Sequence, residues 1–176
     1  TIYLIGVNGK DAAIVWDGVA ATDSDLGGGA PIARDVTACA NRVIYGNVTL
    51  GGVNYPSSFM YSNSNDHATT LAGSLVSVGE GTGFIMAVRN LGVQSFAIYT
   101  RRGQYVATAQ GGAVPFRVDY RSGEVGPVSP AAVVTAGGSH YYLGDDANFY
   151  RFDGSAAKAF GDPVHPAMRT SLSANY

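Results

Sequence analysis

Cysteine is nearly absent. Cys39 stands alone and cannot close an internal disulfide, so a small scaffold stapled by bridges is excluded. It lies among small residues in "VTACANR" and reads as a buried apolar group. Charge is also scarce. Only 14% of residues are Asp, Glu, Lys or Arg, and 11 basic groups against 13 acidic ones leave a formal net charge of −2. A uniformly basic nucleic-acid binder is excluded, and any contact with a polyanion has to be local. The 46% hydrophobic content excludes a disordered chain, and the low charge excludes a solvated helical one. No apolar run reaches the ~20 residues of a bilayer-spanning helix, and no charged-then-apolar leader opens the sequence. The chain opens on Thr1 and closes on "SANY", which reads as a processed chain or a section of a longer one. Long helical patterns are missing too. "APIARDVTACANR" (30–42) and "SPAAVVTAG" (129–137) allow a turn or two, interrupted by β-branched residues and glycines.

What is present is the material of strands. Short runs rich in Val, Ile, Tyr and Phe recur between Gly, Asn and Asp: "IYLIGV", "AAIVWDG", "RVIYGNVTL", "FIMAVRN", "SFAIYT", "QYVATA", "FRVDY", "HYYLG" and "NFYRFDG". Hairpin turns are expected at Asn8-Gly9, Gly51-Gly52 and Arg102-Gly103, and a tight turn at Gly137-Gly138. Pro127 and Pro130 in "GPVSPAAVV" block ladder bonds and mark a crossing between sheets. The expected fold is all-β, with no helix longer than roughly three turns.

The two ends of the chain repeat each other. "YLIGVNGKDAAIVWDGV" (3–19) and "YYLGDDANFYRFDGS" (141–155) both pass through a glycine and a polar turn into a strand ending aromatic-Asp-Gly. The carboxylates of Asp17, before Gly18, and of Asp153, before Gly154, are placed to accept backbone N–H bonds in Asx-type turns. Trp16 and Phe152 are expected at equivalent buried positions. Strand pairs begin near Ile2, Arg42, Gly83 and His140, a spacing of roughly forty to fifty-odd residues that suits propeller blades. One domain (1–176) is expected, with blade-like units of roughly 1–40, 41–82, 83–127 and 128–176. Four units make a small ring, so the blades of short antiparallel strands are read as part of a larger one. A β-sandwich is the alternative.

Chemistry-bearing constellations are lacking. His67, His140 and His165 are far apart, with no two at metal-ligand spacing. "GDDANF" offers Asp145, Asp146 and Asn148 to calcium, but without the fixed glycine and terminal glutamate of a cation loop it reads as a polar turn. "GEGTG" (79–83) has no P-loop lysine and no following helix, so it reads as a turn between units. No G-x-S-x-G elbow occurs, and nothing nominates Asp119 and Glu124 as a glycosidase pair. No cofactor and no enzymatic activity are expected.

The order of three segments carries a resemblance. These are "NRVIYGNVTLGGVNYP" (41–56), "GFIMAVRNLGVQSFAIYTRRGQYVATAQGGAVPFRVDY" (83–120) and "GEVGPVSPAAVVTAGGSHYYLGDDANFYRFDG" (123–154). Together they resemble a family of tailed-phage virion proteins, the propeller-bearing nozzle or hub components of short-tailed phages, from about residue 2 to 165. The family's Trp or Asp-Pro stretch after the "YP" strand is replaced here by "SFMYSNSNDHATT". The resemblance implies a structural tail protein, located in the virion and assembled in the host cytoplasm. It implies tail and neck proteins as partners, a symmetric ring of copies, and double-stranded DNA passing nearby. Arg101 and Arg102, with Arg117 and Arg121 further on, form the richest basic stretch, and the first two are the expected DNA-channel contacts. The alternative is a receptor- or glycan-binding propeller module whose site lies in a loop "YSNSNDHATT" beginning at Tyr61.

Overall fold

Left-handed backbone at three two-residue turns sets the strand pairing. Ala40-Asn41 (φ 49° and 57°), Gly51-Gly52 (55° and 82°) and Gly137-Gly138 (55° and 73°) each hold both central residues at positive φ. This is the turn geometry whose twist matches that of the strands it joins. A computed structural model describes residues 2–70, 73–79, 81, 83–112, 114–161 and 164–173. Four antiparallel meanders follow in chain order. The first sheet contains β1 (Leu4–Gly6), β2 (Ile14–Trp16) and β3 (Ser24–Asp25). The second contains β4 (Ile32–Cys39), β5 (Arg42–Leu50), β6 (Val53–Asn63) and β7 (Asp66–Thr70), with β8 (Val76–Ser77) also beside β6. The third contains β9 (Ile85–Asn90), β10 (Ser95–Thr100), β11 (Gly103–Ala109) and β12 (Phe116–Ser122). The fourth contains β13 (Val133–Ala136), β14 (Ser139–Leu143), β15 (Phe149–Phe152) and β16 (Lys158–Ala159). A 3-10 turn at Pro130–Ala132 precedes β13, and an α-helix, α1 (His165–Ser173), follows β16. The fold is all-β. No helix among the described residues is long and apolar enough to cross a membrane.

Period-two alternation decides how the sheets meet. In β5, Val43 and Tyr45 face the first sheet, where they pack with Ile5 and Val15, while Ile44 between them faces the third. In β10, Phe96 and Ile98 face the second sheet, while Ala97 and Tyr99 face the fourth. The second and third sheets are therefore buried on both sides. Between them Phe59, Phe96 and Phe116 pack edge to face, with ring centroids 5.3 to 6.4 Å apart. Between the third and fourth sheets Tyr99 meets Tyr142 at 5.3 Å and Phe152 at 5.8 Å. The four sheets form a face-to-face stack. Among the described residues no apolar cluster joins the fourth sheet to the first, and no closed ring is formed.

Several local expectations are corrected. Residues 30–42 carry no helical turn: 32–39 form β4, paired antiparallel with β5. β4 and β5 thereby pair across 40/41, where the sequence divides its first two units. Asn8-Gly9 is not a two-residue turn but part of a longer connection over residues 7–13, in which Asn8 Oδ1 accepts the N–H groups of Lys10 and Asp11. The turn between β10 and β11 is Arg101-Arg102, because Thr100 pairs with Gly103. "YSNSNDHATT" is not a loop but the β6–β7 hairpin, and Tyr61 is buried in the core. Of "GEGTG", Glu80 and Thr82 lie outside the described residues, and Gly79, Gly81 and Gly83 all have positive φ.

Trp16 and Phe152 differ most. Phe152 is 0% exposed and Trp16 is 40% exposed. Their registers match, since Trp16 pairs with Leu4 as Phe152 pairs with His140. The difference lies in the neighbours. Phe152 points toward the preceding sheet, whereas no sheet precedes β1–β3 among the described residues. Phe152→Ala is expected to cost about 3 kcal/mol in denaturant unfolding, and Trp16→Ala about 1 kcal/mol or less. Equal losses would show that both side chains occupy the same environment.

Candidate functional site

Two grooves run along one side of the stack and share Arg34 and Phe84. The first, of about 430 Å³, lies between the β1–β2 connection and the turn side of β5 and β6. Its floor is polar because the strand is bulged there. Asn47 sits at φ 54° where the β5–β6 register shifts, and its Nδ2 donates to the Ile85 carbonyl at 3.3 Å. Asn54 Nδ2 donates to Thr49 Oγ1 at 3.0 Å and lies 3.3 Å from Asn47 Oδ1. Gly9 N–H, donating to the Ala33 carbonyl at 2.8 Å, fixes the wall opposite. The second groove, of about 340 Å³, continues past Met86 and Arg101 to Pro127 and Asp145.

Arg101 is held by its backbone. Its N–H donates to the Phe84 carbonyl at 3.0 Å, and its carbonyl accepts the Gly126 N–H at 3.2 Å. Gly126 has to be glycine, because a Cβ there would lie 2.0 Å from the Thr100 carbonyl oxygen. The Arg101 side chain reaches into the groove with its Nε 4.0 Å from Asp145 Oδ2. Arg102 lies on the same turn, outside both grooves, its N–H bonded to Thr100 Oγ1 at 3.3 Å. Arg117 and Arg121 do not join them. Both pair with Asp119 along β12, at 2.8 and 3.7 Å. The basic stretch of the sequence thus separates, and Arg34 of β4 replaces Arg102 beside Arg101. Sequence reasoning missed Arg34, although its alternation with buried Ala33 in "IARDV" marks it as outward-facing.

The other candidate residues serve as local structure. Asp17 Oδ1 accepts the N–H groups of Val19 and Ala20 at 2.9 and 2.8 Å, with Gly18 at φ 79°. Asp153 Oδ1 accepts the N–H and hydroxyl of Ser155, with Gly154 at φ 94°. These hydrogen bonds hold both carboxyls below the ordinary carboxylate range: the backbone N–H of Ala20 leads at Asp17, and the Ser155 hydroxyl at Asp153. Asp146 is occupied by the Asn148 N–H and the Tyr150 hydroxyl, and Asp145 faces Arg101. Among the described residues no three His, Cys, Asp or Glu side chains gather as a metal site. His67 stacks on Tyr3, and His165 bonds the Asp146 carbonyl. His140 is buried, bonded through Nε2 to the Asn90 carbonyl at 2.8 Å and through Nδ1 to Tyr99 Oη at 2.7 Å. Since the carbonyl can only accept, Nε2 carries the proton and Tyr99 donates to Nδ1. Burial lowers the His140 pKa and keeps the ring neutral. Burial also pushes the Cys39 thiol up to about 11, leaving it an inert core group.

No protein-family model matches the chain, and no curated protein matches it significantly. The arrangement offers two adjoining grooves, the first lined by amide side chains and the second by Arg101, with Arg34 and the Phe84 ring common to both. The cationic side chains that line these grooves are Arg34 and Arg101. Arg34→Ala and Arg101→Ala should each lower the slope of log K against log salt for short duplex DNA by about one. Arg117→Ala should leave it unchanged. An equal effect of Arg117→Ala, or no retention of duplex at low salt, would remove DNA from this groove.

Proposed function

We propose that this chain is a non-enzymatic structural component of a bacteriophage tail, at the nozzle or hub end. In this reading its four sheets are blades of a propeller-like ring, packed with tail and neck proteins and with further copies around the DNA exit path. The observation that carries the proposal is the stack itself: four meanders in chain order, the middle two buried on both faces. Propeller blades also pack face to face in chain order, so the stack supports a scaffold role. The ordered likeness of residues 41–56, 83–120 and 123–154 to phage tail proteins supports the same reading. So does the unpaired edge of β1, which bonds only β2 among the described residues and can accept a strand from a neighbour. The low charge content suits surfaces that partners cover.

A second reading, a receptor- or glycan-binding module, is favoured by one observation. The side chains of Asn47, Thr49 and Asn54 lie beside the exposed ring of Phe84, which is the mixture of amides, hydroxyl and aromatic face that a sugar uses. The buried Tyr61 is not part of it. Imaging of intact particles carrying labelled protein separates the two readings. Symmetric copies are expected at fixed positions on the tail. Absence from purified virions, or turnover of a sugar or peptide at enzyme-like rates, would overturn the proposal. Saturable binding of isolated protein on a glycan array, abolished by Phe84→Ala, would favour the second reading.

A further inference from the structure

Among the described residues the stack ends in two apolar faces that no further sheet covers. On the first sheet Leu4 (66% exposed), Ile14 and Trp16 line a shallow apolar depression with Gly6. On the fourth sheet Val134 (57% exposed), Tyr141, Leu143, Phe149 and Phe160 lie on the side away from the third sheet. Phe160 stands edge-on to Tyr141 at 5.9 Å and tilted against Phe149 at 6.0 Å, so the patch is one surface.

The internal repeat says what each face is shaped to meet. Placing Asp17-Gly18 on Asp153-Gly154 puts Trp16 on Phe152, Leu4 on His140 and Val15 on Arg151. Phe152 and His140 face the preceding sheet of the stack. Their counterparts Trp16 and Leu4 therefore form a face built for a preceding sheet. Ile5 and Val15 face the following sheet, and their counterparts Tyr141 and Arg151 form a face built for a following one. The two open ends are thus the two halves of one junction, used three times already inside the chain. Their charges agree. Asp25, which pairs with Ile14, and Asp23, which rims the depression, lie at the first face. Arg151 and Lys158, in register with Tyr141, lie at the other. Neither Asp23, Asp25 nor Lys158 has an ion pair among the described residues.

We propose that the fourth sheet of one copy packs on the first sheet of a second copy, a head-to-tail contact that continues the stack between chains. Such a contact is heterologous: repeated, it closes a ring or extends a fibre, and two copies do not satisfy it symmetrically. It names a partner and two faces for the assembly reading above, but it needs only the geometry of the sheets and holds whether or not the protein belongs to a virion.

The test uses the single, buried native cysteine as a silent background. Leu4→Cys and Val134→Cys are placed on exposed side chains, one on each face. Mixing the two variants under mild oxidant should give disulfide-linked dimers of one chain each, while either variant alone gives almost none. Sedimentation of the unmodified protein should show mass rising with concentration. Combining Arg151→Glu with Lys158→Glu should weaken association by about tenfold or more. Mixing that variant with one carrying Asp23→Lys and Asp25→Lys should restore it, with circular dichroism unchanged throughout. A cross-linked dimer from Leu4→Cys alone would show a symmetric pairing of first sheets and overturn the proposal. So would an intramolecular disulfide in the variant carrying both cysteines, which would mean that the chain closes on itself. A monomer at all concentrations would overturn it as well. Cross-linking in the predicted pattern by a protein absent from virions would leave this contact standing and remove only the tail reading.

Discussion

One guanidinium ties three of the four sheets together. Arg89, on β9, forms an ion pair through Nη1 with Asp35 of β4, while its Nη2 donates to the Pro130 carbonyl at 2.6 Å and its Nε lies 3.5 Å from the Val133 carbonyl. Asp35 Oδ2 also accepts the Val88 N–H at 2.8 Å. Both side chains are largely withdrawn from solvent. Burial pushes the Asp35 carboxyl above its ordinary range, and the Arg89 charge and the Val88 N–H pull it part of the way back. An ion pair in such a place contributes little beyond an apolar one, but removing either partner strands the other. Its effect is on register. Arg89 can reach all its acceptors only when β4, β9 and the start of β13 stand in one alignment, and that alignment sets which residues face each other across the stack. The Tyr99–His140–Asn90 chain fixes the third and fourth sheets a second time.

Given that alignment, apolar burial supplies most of the stabilisation. Ile44, Phe59, Ile85, Phe96 and Ile98 are fully buried between the second and third sheets. The sparse charge of the sequence follows from this architecture, because strands buried on both faces leave few positions where a charged side chain stays wet. The same economy leaves the outermost faces apolar, since each sheet has the composition of a sheet with neighbours.

The strands were legible because aromatic and β-branched residues alternate between glycine-rich breaks, and Gly51-Gly52 and Gly137-Gly138 announce their own turns. Ala40-Asn41 did not, because alanine at φ 49° is an uncommon choice whose cost is borne by the pairing on either side. With that turn hidden, residues 30–42 suggest a helical turn and a unit boundary at 40/41 where the structure has the β4–β5 hairpin. The repeated phrase aligns the two Asp-Gly turns, yet it does not show that Trp16 is exposed and Phe152 buried. Local sequence encodes a register, and the number of neighbouring sheets decides whether that register is covered. The site was less legible still. Arg101 and Arg102 are visible as neighbours in sequence, but the groove takes Arg34 from β4 and Arg101 from the β10–β11 turn, which the fold alone brings together. Arg89 gave no local signal, being one charged residue in an apolar strand.

The claim that the Arg89–Asp35 pair aligns the stack is tested most directly by a double-mutant cycle in denaturant unfolding. Arg89→Ala and Asp35→Ala should each cost about 3 kcal/mol, because each leaves a buried charge or carbonyl groups unpaired. The double variant should lose less than the sum, by a coupling of about 1–3 kcal/mol. Additive losses, each below about 0.5 kcal/mol, would contradict the account and place the alignment of the sheets in apolar packing alone.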